Sequence, residues 1–92
     1  MTTQKGAAPW GVVPIAIVLG PQGAEFAPTQ LDVPAGTSTL WRNETADPQV
    51  VMPFKGGALE PGGTRLTYIR RPGTYLMRLQ SNPAAVLTIT AN

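Results

Sequence analysis

Ninety-two residues with 42% hydrophobic and only 13% charged side chains describe one modest globular domain, not a charged disordered tail. The chain has no cysteine and no histidine, which excludes disulfides, thiolate and imidazole catalysis, Ser-His-Asp triads and zinc sites of the usual Cys/His kind. Net charge is +2, and it is uneven: beyond Glu60 come Arg65, Arg70, Arg71 and Arg78 with no acid to offset them.

In chain order, residues 1–11 are small, polar or Gly/Pro-containing and read as an N-terminal tail, leaving 12–92 as the folded domain. Residues 1–19 superficially have the layout of an export signal. Pro9 and Pro14 interrupt the apolar run, it is too short to span a membrane, and no small-residue cleavage site follows. VVPIAIVL (12–19) is therefore a first strand, and Pro14 places it at a sheet edge. GPQG (20–23) is a turn. FAPTQLDVPAG (26–36) is an extended segment bent at Pro28, and TSTLWRN (37–43) is a strand. ETADP (44–48) is a loop, and QVVMPF (49–54) is a strand followed by the glycine-rich KGGALEPGG. TRLTYIR (64–70), TYLMRLQ (74–80) and AVLTITA (85–91) alternate. Leu66 and Tyr68 share a face, as do Tyr75, Met77 and Leu79, while Leu87 and Ile89 point inward with Thr88 and Thr90 outward. Seven or eight short strands at ten-residue intervals, with no helical period, predict an all-β sandwich or barrel.

Four segments carry a family resemblance. FAPTQLDVPAGT matches F-x-P-x-x-(apolar)-x-V-x-x-G-T. TLWRNETADPQVV matches an (apolar)-x-W-x-N strand, a short loop and a ligand-bearing strand. LEPGGTRLTY matches an L-x-x-G segment before an alternating strand, and RPGTYLMRL matches P-G-x-Y ahead of a ligand loop. In this order and spacing they resemble the cupredoxins, the family of plastocyanin and amicyanin. The resemblance covers about two-thirds of the chain and implies a Greek-key β-sandwich with Trp41 of the W-x-N strand inward. In copper-binding members two imidazoles and a thiolate hold the metal with a weak axial methionine. Carried over position by position, those ligands fall on Gln49, Leu79, Asn82 and Ala85. Leu and Ala carry no donor, and neutral amides are poor substitutes for imidazole, so no cofactor is expected. Met52 and Met77 read as core filler. The dispersed carboxylates, Glu44 and Asp47 included, read as solvated loop residues.

The resemblance with its ligands removed implies a copper-free structural or interaction module rather than an enzyme. It implies an extracytoplasmic location, periplasmic or cell-surface, and a role as a small bacterial subunit docked on a larger membrane complex of electron transfer. The candidate partner-binding residues are Trp10 in the tail, the apolar Pro48, Pro53, Pro83 and Ala84, and the cations Arg65, Arg70, Arg71 and Arg78. The bland alternatives are a solvated basic surface and an ordinary packed loop end, where Leu79 fills the metal space, Asn82 bonds nearby backbone and Gln49 caps its loop. Nucleic acid is not expected, since no basic-and-aromatic platform is present. A small-ligand or carbohydrate-binding sandwich is the competing class, and a pair of exposed aromatics on one sheet face would favour it.

Overall fold

The computed structural model describes residues 3–5, 11–53 and 57–92. The strands are β1 (Thr3–Lys5), β2 (Val12–Gly20), β3 (Gly23–Ala27), β4 (Gln30–Val33), β5 (Ser38–Asn43), β6 (Val51–Met52), β7 (Thr64–Tyr68), β8 (Gly73–Leu79) and β9 (Val86–Ala91). They form two sheets, ordered β1-β4-β9-β8-β6 and β3-β2-β5-β7. Without the three-residue β1 this is the eight-strand sandwich that the spacing of the turns predicts. β1 falls within the stretch read as a tail, and its backbone pairs in parallel with Gln30–Asp32 of β4.

Alternation builds the interior. Val13, Ile15 and Ile17 of β2, Phe26 of β3, Leu31 and Val33 of β4, Trp41 of β5, Met77 and Leu79 of β8, and Leu87 and Ile89 of β9 are all buried. They face one another between the sheets, because a strand sends every second side chain to the same side. Phe26 meets Trp41 edge to face, with ring centroids 6.0 Å apart. The indole N–H of Trp41 donates to Thr39 Oγ1 at 3.0 Å, so the largest core side chain has its polar atom satisfied inside the barrier to water.

Three details differ from the sequence reading, each for a local reason. The 26–36 segment is two strands in two sheets: β3 ends at Ala27, the Ala27–Pro28 peptide is cis, and the chain crosses to the other sheet as β4. The 49–54 strand shortens to Val51–Met52. Gln49 instead makes an isolated bridge with Leu59, and Phe54 lies outside the described residues. Finally, β2 is an interior strand rather than an edge. Pro14 is tolerated there because β3 covers β2 only from Ala16 onward. The carbonyls of Gly11 and Ile17 are turned to the β5 side, bonded by the N–H groups of Ser38 and Glu44. By the two-residue alternation, position 14 therefore faces the uncovered side, where no ladder N–H is required.

Registers fix what lies at each end. β2, β5 and β8 run toward one end, where the turn of residues 20–23 and the loops 44–49, 57–63 and 80–85 gather. The turn of Arg70–Pro72 and the 34–37 turn lie at the opposite end, where Gly36 N–H donates to Ile69 C=O at 2.7 Å.

Candidate functional site

The loop end is where the frame of a metal site should lie, and the structure does bring those positions together. Leu79 is the last residue of β8, opposite Val51, and is fully buried. Gln49, two residues before Val51, is 4% exposed, and its backbone exchanges hydrogen bonds of 2.9 and 2.7 Å with Leu59. Beyond Leu79 the chain folds back through two tight turns, Asn82 N–H to Leu79 C=O at 3.2 Å and Ala85 N–H to Asn82 C=O at 2.9 Å. These return Ala85 onto the core.

The side chains at these positions are engaged in holding the loops to one another. Asn43 is completely buried at the end of β5. Its amide donates to the carbonyls of Asp47 at 2.7 Å and Leu59 at 2.8 Å, and its oxygen accepts from the N–H of Thr45 at 2.9 Å and the Thr45 hydroxyl at 2.6 Å. Gln49 joins this cluster by donating Nε2–H to Thr45 Oγ1 at 3.0 Å. The same amide then accepts, through Oε1, the hydroxyl of Ser81 at 2.7 Å, which ties the 44–49 loop to the 80–85 loop. Asn82 reaches across to the β2–β3 hairpin and donates to Ala24 C=O at 2.9 Å. Gly23, which has a φ of +117°, lies under the Asn82 amide, and a Cβ there would stand 3.3 Å from its nitrogen. No buried side-chain polar atom among the described residues lacks a partner.

Copper does not fit this arrangement. Leu79 and Ala85 offer no donor atom, and the amides of Gln49 and Asn82 are bound to Ser81, Thr45 and Ala24. Nor do carboxylates converge on a substitute: among the described residues no group of three or more acidic side chains could hold a metal ion. Met77 is buried in the core, consistent with a packing role. Asn82 bonds backbone as expected, but at a carbonyl 58 residues away in sequence rather than nearby, and Gln49, expected to cap loop backbone, bonds the hydroxyls of Thr45 and Ser81 instead.

The surface candidates do not form one cluster. Pro48, Pro83 and Ala84 are exposed together at the loop end, whereas Pro53 follows β6 along the edge of the five-stranded sheet. Arg78 reaches the same end by donating to Pro83 C=O at 3.1 Å. Arg65 sits on β7 opposite Trp41 and donates to Gly57 C=O at 3.2 Å. Arg70 and Arg71 occupy the turn at the far end, where the Tyr75 hydroxyl donates to Arg71 C=O. Trp10 lies outside the described residues. The sequence reading missed Leu19: its parity with Val13, Ile15 and Ile17 points it inward, yet it is 77% exposed. The adjoining GPQG turn was the available signal, because a residue at the mouth of a hairpin has run past the facing sheet.

The outer face of the four-stranded sheet also carries exposed apolar residues, among them the Leu66 and Tyr68 that alternation sets on one face. Val12, Leu40, Leu66 and Tyr68 are exposed there. Registers place Pro14, Leu40 and Leu66 in one row across β2, β5 and β7, and Val12, Ser38 and Tyr68 in the next. An open groove of about 840 Å³ runs beside them, lined by Pro14, Ala16, Glu25, Ala27 and Arg42 among others. Phe26 and Trp41 are buried and Tyr75 packs on the core, which leaves Tyr68 without a second exposed aromatic beside it on this face among the described residues.

No protein-family model and no curated sequence matches this chain. Solved structures do match in fold. A purple cupredoxin from Nitrosopumilus maritimus superimposes with a TM-score of 0.73 at 20% identity, over 87% of this chain and 99% of that one. Amicyanin from Paracoccus versutus gives 0.74 at 14% identity, over 88% of this chain and 81% of that one. The copper-containing nitrite reductase from Thermus scotoductus SA-01 gives 0.69 at 22% identity, over 87% of this chain but only 22% of that one. The fold is thus cupredoxin-like over most of the chain.

Proposed function

We propose that this cupredoxin-like domain is a copper-free structural or interaction module, a small extracytoplasmic subunit that docks on a larger complex of the membrane electron-transfer kind. The observation that carries the reading is the conversion of the ligand frame into loop ties. Gln49, Leu79, Asn82 and Ala85 supply a core side chain, a small packed residue and two amides bound to protein atoms. A domain with no means of holding the metal, but with Leu19, Pro48, Pro83 and Ala84 exposed around the same end, has kept a surface and not a redox centre. The location rests on the resemblance to the cupredoxins. Among the described residues no helix is long and apolar enough to cross a membrane.

Two measurements test the proposal. Titrated with Cu(II), the protein should develop no intense visible thiolate-to-copper absorption, and a blue or purple product would overturn the copper-free reading. In gently solubilised native membranes the chain should sediment with an assembly far heavier than two copies of itself. Recovery only as a small free species would overturn the subunit reading.

A further inference from the structure

The edges of the two sheets are protected unequally. The Ala24 carbonyl on edge strand β3 is capped by the Asn82 amide. The uncovered part of β2 is blunted by Pro14. In the other sheet the edge strands β1 and β6 are only three and two residues long. β7 differs: it has five residues, contains no proline, and pairs with β5 alone among the described strands.

The direction of its free groups follows from the ladder. Ile69 turns both its N–H and its C=O toward the β5 side, bonding Thr37 and Gly36, and the Gly63 carbonyl accepts from Asn43. Alternation then sends the N–H and C=O of Thr64, Leu66 and Tyr68 away from β5. The side chains of these three residues are also exposed. Charge is distributed with opposite sign about the strand. The exposed Glu60 precedes it, and the exposed Arg70 and Arg71 follow it.

We infer that β7 is a self-association edge whose occupant is β7 of a second copy of this chain, paired antiparallel about a two-fold axis at Leu66. That pairing sets Leu66 against Leu66 of the second copy and Thr64 against Tyr68, with reciprocal backbone hydrogen bonds. It brings Glu60 of each copy to the same end as Arg70 and Arg71 of the other, whereas a parallel pairing would set like charges together. The interface is isologous and closes on itself, which consumes the one long unguarded edge among the described strands instead of propagating it. The inference is independent of the docking role proposed above.

The absence of native cysteine makes the test clean. Paired residues that exchange backbone bonds have Cα atoms about 5.5 Å apart, inside the roughly 4.4–6.8 Å reach of a disulfide. Leu66→Cys should therefore cross-link rapidly into a covalent dimer under mild oxidant. Leu76→Cys, at an exposed site on the other sheet, should not. Sedimentation equilibrium should show the mass of the unmodified chain rising from 9.7 kDa toward twice that value with concentration. Leu66→Pro removes only an N–H that points away from β5, so the fold should persist by circular dichroism while the dissociation constant rises at least about tenfold. Should that variant fail to fold, Leu66→Lys serves the same comparison, and Glu60→Arg should weaken the dimer and Arg71→Glu added to it should restore it. A chain that stays monomeric to about 1 mM, or that cross-links equally through positions 66 and 76, overturns the inference.

Discussion

The loop end and the outer face beside β7 invert the usual placement of residue types in opposite ways. At the loop end the buried Asn43, Thr45 and Gln49 join the exposed Ser81 in one connected network, and the half-buried Asn82 ties a hairpin to a loop. Beside β7, apolar side chains are exposed and unanswered, with Leu66 at 63% and Tyr68 at 56%. Burial explains the contrast. A buried amide without partners costs more than the hydrogen bond is worth, so the interior demands complete pairing. An exposed leucine costs little, and its presence is tolerated without any partner in the monomer. The loop end is therefore where stability resides, and the β7 face is where change should be nearly free for folding and consequential for association.

That difference can be broken or sharpened by substitution. Asn43→Ala removes the centre of the network: the Thr45 N–H loses its acceptor, and the Asp47 and Leu59 carbonyls each lose one of two donors. It should cost about 3 kcal/mol of unfolding free energy in urea titrations. A loss under about 1 kcal/mol would show that the network is incidental. Asn82→Ala cuts the tie to Ala24, a bond to a half-buried side chain, and should cost about 1 kcal/mol by the same measurement. Amide hydrogen exchange should quicken in the 20–24 hairpin but not in β7. Leu66→Ser, at the other extreme, should change the stability of the monomer by no more than about 0.5 kcal/mol. A large destabilisation there would mean that the outer face packs against something within the chain.

How much of this was legible beforehand varies with the kind of interaction. The alternation of TYLMRLQ and AVLTITA is a local property of the chain, and it assigned Met77, Leu79, Leu87 and Ile89 to the core, where they are found. The inward placement of Trp41, also found, came from the resemblance of its W-x-N strand and not from alternation. Alternation cannot say which face of an edge strand looks inward, so Leu66 and Tyr68 were recognised as sharing a face without being recognised as exposed. It also fails at strand ends: Leu19 keeps the inward parity yet stands beyond the facing sheet. At the vacant ligand positions the missing donors were plain from residue type alone. Their replacements were not, because the partners of Asn82 and Ser81 come from loops that are distant in sequence.

By itself the sequence determined the sandwich, through apolar residues at every second position and turn residues at regular intervals. It also determined the exclusion of a copper centre, since no histidine or cysteine exists anywhere in the chain to supply one. Only the tertiary structure decided which polar residues became ties, which arginines stand apart, and which strand edge remains open. Those properties depend on the company each side chain keeps across the fold, and no local pattern of residues encodes that company.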